Sequence, residues 1–312
     1  MIISASRRTD IPAYYAKWFF NRLKAGYVLT RNPVNPHQIS RVSLRPDVVD
    51  AIVFWTKNPL PMLDALPLLH DYMYYFQFTL TAYGPDVEPQ IPDKEACLIP
   101  AFQRLAQTIG PDRVVWRYDP IFLSEAYTPA YHLRRFAEFA ARLHPYTRKC
   151  TISFLDQYRN TAKNMAGLRL QAFPPAEQRA LAKELVQIAH RYGLEMDTCA
   201  EELELTPYGV QHARCIDDRL LTRLLHCPLA ITKDKNQRLA CGCVESIDIG
   251  AYHTCPGGCR YCYANDGPGA ALCNAAAHVP SSPLLFGAPD PDDRITEREM
   301  RSYRVDQLQF DL

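Results

Sequence analysis

The sequence predicts an α/β protein, a complete or partial (β/α) TIM-like barrel with a cysteine-rich, cluster-binding segment near its C-terminus. Three observations predict it. Over the first 240 residues, apolar segments rich in β-branched and aromatic residues alternate with amphipathic segments of helical period. Regular alternation of this kind implies parallel strands joined by right-handed helical crossovers. No G-x-G-x-x-G motif follows the first apolar segment, which disfavours the competing architecture, an open doubly wound sheet with a dinucleotide site.

The elements follow from the same pattern, taken in chain order. Continuous apolar runs, typical of strands buried on both faces, predict strands at 1–6, 50–55, 73–81, 113–119, 150–156, 194–199 and 228–232. Amphipathic periodicity predicts helices at 12–25, 59–70, 93–109, 129–143, 175–192 and 215–226. Proline stands near three of the helix starts and glycine at three of the ends, where each is favoured. Residues 266–295 are rich in Pro, Gly, Ala and Asp and predict irregular structure, and 295–312 predicts a short closing helix.

This pattern divides the chain into three parts that we expect to form one integrated domain. They are a barrel at 1–235, a cysteine-rich loop at 236–275 packed on the catalytic face, and a tail at 276–312. A net charge of +1 gives no overall basic field that would attract nucleic acid. No run of about eighteen apolar residues predicts a membrane span. The N-terminal "MIISASRRTD" lacks the pattern of a secretory signal, so we expect a cytoplasmic protein.

The distribution of the 11 cysteines is uneven, since nine of them lie between residues 199 and 273. A disulfide framework is not expected in a cytoplasmic protein, and it would distribute cysteines along the whole fold. A local concentration of thiols instead indicates metal or redox chemistry.

The densest stretch is "CPGGCRYCYAN", residues 255–265, in which Cys255, Cys259 and Cys262 have C-x₃-C-x₂-C spacing. Three thiolates on a [4Fe–4S] cluster leave one iron open for a small chelating molecule. Tyr261 and Tyr263 flank the last cysteine and could shield such a cluster or stack on its ligand. Zinc is the alternative, although it would have to recruit a fourth ligand such as His253 or Cys273.

A second group lies upstream of this loop and consists of Cys199, Cys215, Cys241 and Cys243. Four thiolates could complete a second, fully ligated [4Fe–4S] cluster or a structural zinc site. The alternative is that some of them are buried free thiols, which behave as small hydrophobic side chains. That interpretation is the one we assign to the remaining cysteines in apolar surroundings, Cys97, Cys150 and Cys227.

Polar residues follow most of the predicted strands, and in a barrel such residues meet at one face. Each of them has an alternative role as a helix cap or loop residue. The stretches concerned are "SRRTD" (6–10), "TKN" (56–58), "RYD" (117–119), "DQ" (156–157), "DTCAE" (197–201) and "TKDK" (232–235).

The loop spacing Cys255-x₃-Cys259-x-Tyr261-Cys262 resembles the C-x₃-C-x-aromatic-C motif of the radical S-adenosylmethionine (SAM) superfamily. The following "YAN" is similar to the version in spore photoproduct lyase and its relatives. The resemblance implies a cluster that cleaves SAM reductively to a 5′-deoxyadenosyl radical, and therefore a reducing partner such as flavodoxin or ferredoxin. Over most of its length the chain resembles the bacterial family DUF1848, through "ISASRRTDIPAYY", "FWTKNP", "WRYDPI", "KDKNQR", "CGC" and "DIGAYHTCPGGCRYCYAN".

The resemblance also implies roles for residues at the strand ends. Arg7, Arg8 and Lys57 are candidates to bind the SAM carboxylate, and Lys57 resembles the lysine of a Thr-Lys pair in the photoproduct lyase group. Asp10 or Asp119 could accept from the ribose hydroxyls, whereas Arg117 and Asp119 could instead pair with each other. Lys57, Arg117 and Asp119 are the candidate catalytic residues. Radical SAM proteins usually carry the cysteine loop after the first strand, so its late position here implies a rearranged barrel.

These considerations predict a radical SAM-type enzyme acting on a small or modified molecule. The first alternative is nucleic-acid repair or modification, in which Tyr14, Tyr15, Trp18, Trp55 and Trp116 would stack on a flipped base. The second alternative is a barrel in which zinc and the cysteines have a structural role only.

Overall fold

The structure is a computed structural model and describes residues 1–156 and 159–305. Its strands are β1 (Ile2–Ala5), β2 (Tyr27–Arg31), β3 (Gln38–Ser43), β4 (Ala51–Thr56), β5 (Tyr74–Thr79), β6 (Val114–Ile121), β7 (Lys149–Phe154), β8 (Glu195–Thr198), β9 (Gln211–His212), β10 (Ile247–Asp248) and β11 (Arg294–Glu297). Its α-helices are α1 (Ile11–Tyr14), α2 (Ala16–Ala25), α3 (Leu60–Leu63), α4 (Ile99–Ile109), α5 (Pro129–Leu143), α6 (Arg159–Asn164), α7 (Pro175–Arg191), α8 (Asp218–Leu225) and α9 (Pro268–Ala276). Single helical turns occur at Leu66–Leu69, Lys94–Leu98, Pro111–Arg113, His144–Tyr146 and Thr206–Tyr208.

Eight strands form one parallel sheet in the order β10-β1-β4-β5-β6-β7-β8-β9, which confirms the α/β prediction. Neighbouring strands are in register, with Ile3 opposite Ile52 in one pair and Phe76 opposite Val114 in another. The edge strands β9 and β10 have two residues each, and no strand pairing joins them within the described residues. The arrangement is consistent with a partial β/α barrel.

Both faces of the sheet are buried. Successive side chains of a strand point to opposite faces, so each strand contributes side chains to two separate cores. On one face, residues such as Ile3, Ile52 and Phe54 pack into the large core that includes α2, α4, α5 and α7. On the other face a smaller core forms, where the strands meet residues 215–221 and 241–244. Its sheet residues are Ile2, Ala51, Val53, Tyr75 and Val115. Two chain segments therefore pack against this face of the sheet and carry three cysteines with them, Cys215, Cys241 and Cys243.

The sequence did not predict the second sheet, in which β2 and β3 form an antiparallel hairpin and β11 pairs parallel with β3. Strand β11 replaces the beginning of the closing helix predicted at 295–312, and residues 306–312 of that prediction lie outside the described residues. These strands are partly exposed, so their apolar signal is weaker than that of the buried parallel strands.

Several element predictions are wrong. Residues 228–232 form no strand of the sheet and make only an isolated bridge from Leu229 to Arg304, while β10 takes the edge beside β1. The helix predicted at 59–70 is two short turns, because Pro67 has no N–H to continue an α-helix. The region predicted to be irregular contains α9. Among the described helices, none has the length and apolar character needed to cross a membrane.

Candidate functional site

A cavity of about 590 Å³ lies at the carboxyl ends of the parallel strands. The candidate catalytic, cofactor-binding and cysteine-ligand residues predicted from the sequence line it: Arg7, Arg8, Asp10, Lys57, Arg117, Asp119, Tyr261, Tyr263, Cys199, Cys215, Cys241, Cys243, Cys255, Cys259 and Cys262. Of the other predicted strand-end residues, Asp197, Glu201 and 232–235 do not line it, and Gln157 lies outside the described residues. They meet because strands of a parallel sheet end at one edge, so the loops that follow them share one face. The late cysteine loop and the first-strand loop therefore line one cavity although about 250 residues separate them in the chain.

Asp248, at the end of β10, holds the loop after β1 in place. Its carboxylate accepts hydrogen bonds from Ser4 Oγ at 2.8 Å, Ser6 Oγ at 2.6 Å, and the amides of Arg7 and Gly250 at 2.9 Å. A Cβ added at Gly250 would lie 2.1 Å from Ser6 Oγ, so only glycine fits there. Because Gly250 leads directly into the cysteine loop, this contact fixes the two loops relative to each other.

One hydrogen bond ties the cysteine loop to the loop after β5, and another joins the two ends of the cysteine loop to each other. The Arg260 amide donates to Val87 O at 3.0 Å, and Asn265 Nδ2 donates to Cys255 O at 2.8 Å. Burial raises the pKa of the Cys255 and Cys259 thiols to about 12. Within the described residues, no three His, Cys, Asp or Glu side chains form a group that could hold a single metal ion.

Glu88 stands beside the cysteine loop at the centre of a buried charge network. Its carboxylate accepts from Lys57 Nζ at 2.8 Å, from Thr81 Oγ1 at 2.7 Å, and from Lys94 and the Tyr261 hydroxyl. Burial opposes ionisation, yet the two ammonium groups lower the pKa of Glu88 to about 2. Two lysines and one carboxylate leave one net positive charge in this buried network.

Lys57 and Asp10 line the cavity, and each also binds other residues of the protein. Burial opposes the charge of Lys57, but Glu88 and then Cys259 raise its pKa above the usual value. Asp10 caps α1 by accepting from the Ala13 amide at 3.0 Å, and it accepts from the Lys57 amide at 2.7 Å. Burial raises the pKa of Asp10 to about 6. Each Asp10 oxygen thus already accepts one backbone hydrogen bond.

Arg117 and Asp119 form an ion pair with each other, which is the alternative considered from the sequence. Arg117 is buried, and its Nη1 also donates to Gln77 Oε1 at 3.3 Å and to Cys215 Sγ at 3.0 Å. Asp119 accepts in addition from the Ser153 hydroxyl. This pair therefore connects the polar end of β6 to the upstream group of cysteines.

Arg7 and Arg8 differ from the other basic residues of the cavity because neither forms an ion pair with a described carboxylate within 4.0 Å. The Arg7 guanidinium lies 5.7 Å from the Trp55 ring centroid and donates to Ser246 Oγ at 3.3 Å. The Arg8 guanidinium lies 5.0 Å from the Tyr252 ring centroid. Cations held on aromatic faces at a cavity wall are suited to binding an anionic group.

The remaining candidates from the sequence are the aromatic residues that could stack on a base and the possible zinc ligands, and only some of them line the cavity. Trp18 and Trp116 are 0% exposed and Tyr15 is buried, so these three pack in the core and cannot stack on a base, whereas Tyr14 and Trp55 line the cavity. Neither candidate for a fourth zinc ligand, His253 or Cys273, lines the cavity. Cys150 is buried as predicted, but Cys97 and Cys227 are only partly buried.

Sequence reasoning missed Glu88, Lys94 and Asp248. Glu88 stands in the irregular stretch "DVEPQ" after β5, and Lys94 begins the helical turn that follows. Asp248 ends a strand of two residues, too short to give an apolar pattern. No local motif marks these positions, because their partners are distant in the chain.

The comparison with known families agrees with the resemblance drawn from the motifs. The family described as Domain of unknown function (DUF1848) matches residues 2–264, so the chain belongs to this family. The match includes every cysteine of the cavity and the whole of the parallel sheet. No match was found among the curated proteins. The similarity to radical SAM enzymes and to spore photoproduct lyase stays a prediction.

Proposed function

We propose that this member of the DUF1848 family is a radical SAM-type enzyme whose cofactor is a [4Fe–4S] cluster on Cys255, Cys259 and Cys262. The observation that carries the proposal is that these three cysteines share one cavity with polar strand ends of a parallel sheet. Such a cluster supplies an open iron for SAM and the electron that cleaves it. The donor set fits, since three thiols on one short loop match three of four irons. The substrate is a small or modified molecule that fits the cavity.

The charges beside the loop support an anionic occupant. Lys57 and Lys94 flank a single carboxylate, and both lysines act electrostatically on the Cys259 thiol. Three thiolate ligands bring negative charge into a buried site, where an unpaired charge is costly. The net positive charge around Glu88 offsets that cost. In this proposal Lys57 and Lys94 are positioning residues, because they compensate charge at the cluster ligands.

The guanidinium groups that lack an ion-pair partner among the described residues are the candidates to bind the carboxylate of SAM. Arg7 and Arg8 line the cavity without an ion-pair partner among the described residues, whereas Lys57 and Arg117 are already paired with Glu88 and Asp119. An arginine can bind a carboxylate through two parallel hydrogen bonds. The carboxylate is therefore assigned to Arg7 or Arg8 in preference to Lys57.

Thr9 gives a second indication that a polar ligand enters this cavity. Its Oγ1 is buried and has no hydrogen-bond partner among the described residues, although Thr9 lines the cavity. Buried hydroxyl groups normally have a partner in native proteins. A hydroxyl or amino group of a bound ligand would supply it.

The test is reconstitution of the full chain with iron and sulfide under anaerobic conditions, followed by incubation with SAM and dithionite. The proposal expects formation of 5′-deoxyadenosine, measured by chromatography, and a brown protein with broad absorption near roughly 400 nm. Cys259→Ala is expected to abolish 5′-deoxyadenosine formation, because the cluster loses one of its three ligands.

The matched control is Cys273→Ala, which removes an exposed cysteine that does not line the cavity. It is expected to form 5′-deoxyadenosine at the wild-type rate. Formation that survives in Cys259→Ala would show that the assigned ligands are wrong. A colourless protein that binds zinc after this treatment would favour the structural zinc alternative and overturn the proposal.

A further inference from the structure

Two of the four upstream cysteines, Cys199 and Cys215, are in direct contact. Cys199 Sγ lies 3.2 Å from Cys215 Sγ, and both residues line the cavity. A disulfide joins its sulfur atoms at about 2.05 Å, so this pair is ~1 Å from bonding distance. Sulfur atoms that bind separate irons stand at different corners of a cluster, and a pair in contact leaves no such space. The contact therefore favours sulfur–sulfur chemistry over iron binding for these two cysteines.

The ends of two neighbouring strands bring the pair together. Cys199 follows β8 directly, and Cys215 comes three residues after β9, which pairs with β8 in parallel. The Cys199 amide donates to Ile152 O at 2.8 Å. Tyr75 Oη and Gln77 Nε2 donate to Cys215 O at 2.6 Å and 2.9 Å. The sheet therefore fixes the backbone of both cysteines, and their contact is part of the fold.

The residue after Cys199 has a strained backbone. Ala200 has a φ of 53°, in the left-handed region that residues with a Cβ rarely adopt, and it lines the cavity. Strain of this kind costs free energy and concentrates at functional sites. Its place beside the thiol pair is a second indication that this wall of the cavity has a function.

A small molecule in the cavity meets the two thiols differently. Cys199 is half-buried, whereas Cys215 is 5% exposed. Arg117 Nη1 donates to Cys215 Sγ at 3.0 Å, and a guanidinium beside a sulfur atom stabilises its thiolate. Cys199 is therefore the thiol that an incoming reagent reaches first, and Cys215 is the thiol whose thiolate the protein supports.

The surroundings also set how readily each thiol ionises. Hydrogen bonding to Cys215 and burial raise the pKa of the Cys199 thiol. The hydrogen bond from Cys199 lowers the pKa of the Cys215 thiol, but its bond to Cys243 and burial outweigh this effect and raise the pKa to about 11. A reduced pair that is not ionised gains no thiolate stabilisation. The disulfide is therefore favoured at equilibrium, although exchange at neutral pH is slow.

We propose that Cys199 and Cys215 form a redox-active dithiol whose substrates are small-molecule disulfides that enter the cavity. The Cys199 thiolate attacks one sulfur of the small disulfide, breaks its S–S bond and releases one small thiolate. The Cys215 thiolate then attacks Cys199 Sγ in this mixed disulfide, forms the Cys199–Cys215 bond and releases the second small thiolate. The protein loses two electrons and two protons, which the small disulfide takes up as it becomes two thiols. An excess of a small thiol reverses the exchange.

This inference goes beyond the proposed function and does not rest on it. The exchange needs neither SAM nor a cluster on the loop cysteines. Its product is one covalent bond between the segments that follow β8 and β9, at the wall of the cavity. The test therefore measures that bond and not SAM cleavage.

The experiment treats the full chain with oxidised glutathione under anaerobic conditions at about pH 8.5, where more of each thiol is ionised. Free thiols are then alkylated, and the digested peptides are identified by mass spectrometry. The proposal expects two peptides joined through Cys199 and Cys215 without bound glutathione, and expects excess dithiothreitol to separate them. The exposed Cys273 is expected to carry glutathione, which shows that the reagent has acted.

Mixtures of reduced and oxidised glutathione measure the equilibrium. Formation of an internal disulfide releases two glutathione thiols, whereas formation of a mixed disulfide releases one. Doubling the reduced glutathione at constant oxidised glutathione is therefore expected to lower the ratio of oxidised to reduced pair about fourfold. A mixed disulfide, as on Cys273, is expected to fall about twofold.

Three variants and a control assign the bond. Cys215→Ser is expected to accumulate glutathione on Cys199, because no second thiol displaces it. Cys199→Ser, at a half-buried position, is expected to lose the joined peptides, and circular dichroism checks the fold of both variants. The Cys255→Ala/Cys259→Ala/Cys262→Ala variant is expected to form the bond as wild type does. Cys150→Ser is the control, since Cys150 is buried and does not line the cavity, and it is expected to keep the bond.

Two outcomes would overturn the inference. One is wild-type protein in which Cys273 carries glutathione while Cys199 and Cys215 both remain free thiols. The other is a disulfide that joins Cys243 to Cys215 or to Cys241 in place of the Cys199–Cys215 bond. If the Cys199–Cys215 bond forms in a protein that does not cleave SAM after reconstitution, the inference stands and the proposed function fails.

Discussion

The two groups of cysteines in this cavity are built in different ways. The loop group, Cys255, Cys259 and Cys262, lies within eight residues of chain, and its spacing alone suggests its use. The upstream group, from Cys199 to Cys243, is drawn from three segments and is brought together only where those segments pack against the sheet. The comparison teaches that a local motif and a group assembled from distant segments can face the same cavity, although only the local motif has a regular spacing in the sequence.

Their electrostatic surroundings differ as well. Beside the loop group, Glu88 is fully buried between two lysines. Beside the upstream group, Asp119 is 19% exposed and pairs with a single arginine. The carboxylate beside the loop group is therefore shielded from water, whereas water partly reaches the carboxylate beside the upstream group. The following variants test this difference and the fold that supports it.

The largest effect is expected for Glu88→Gln, which leaves Lys57 and Lys94 buried without their carboxylate. Removing one partner of a buried ion pair costs about 3–5 kcal/mol in the free energy of unfolding. The measurement is chemical denaturation at pH 7 of protein that has not been reconstituted with iron and sulfide. Asp119→Asn is the matched variant in the other region and is expected to cost less, because Asp119 is partly solvated. Equal losses in the free energy of unfolding for the two variants would show that the two carboxylates do not differ in this way.

The second largest effect is expected on the pH dependence of stability and concerns His132. This residue lies outside both groups of cysteines and packs against β6 of the sheet that supports them. Its Nδ1 lies 2.9 Å from the Tyr118 hydroxyl and its Nε2 2.9 Å from Phe122 O, as a neutral imidazole requires. Burial lowers the pKa of His132 to about 4. Between pH 7 and pH 5 the unfolded chain gains the proton and the folded chain does not, so stability falls by about 2 kcal/mol.

His132→Gln is expected to abolish this pH-dependent loss, whatever its stability at pH 7. The measurement is the free energy of unfolding at pH 7 and at pH 5 for both proteins. The exposed His70, whose ring lies 3.4 Å from Asp71, supplies the control variant His70→Gln, which is expected to keep the wild-type slope. If His132→Gln keeps that slope as well, the acid sensitivity arises from another group.

The smallest effect is expected for Gly250→Ala, in the segment that connects the two cysteine groups. The added Cβ would lie 2.1 Å from Ser6 Oγ and 2.6 Å from Ser6 Cβ. Overpacking of this kind costs about 1–3 kcal/mol in the free energy of unfolding. Because the clash displaces the start of the cysteine loop, the proposed function expects the iron content after reconstitution to fall.

Gly269→Ala is the control for that variant, since an added Cβ meets no atom within 4 Å there. Alanine in place of glycine within a helix is expected to change the free energy of unfolding slightly and in the stabilising direction. Unchanged iron content in Gly250→Ala would show that the contact with Ser6 does not position the loop.

The sequence by itself determined the parallel α/β architecture, because buried strands require continuous apolar runs that are local in the chain. It also predicted the cavity residues, because parallel strands end at one edge. Arg7 and Lys57 follow such strands, and Asp119 lies near the carboxyl end of one. It could not predict β9 and β10, since two residues carry no periodicity. For the same reason the edge strand was misplaced at 228–232.

Only the tertiary structure decided how the charges pair. Glu88 and Lys57 are 31 residues apart, and Cys199 and Cys243 are brought to one wall by segments that pack against the sheet. Such contacts depend on how the chain packs, and the spacing of residues along it contains no record of them. The sequence therefore indicated which side chains carry chemistry. The fold decided that Lys57 pairs with the buried carboxylate of Glu88, that Arg117 contacts Asp119 and Cys215, and that Arg7 and Arg8 line the cavity without an ion-pair partner among the described residues.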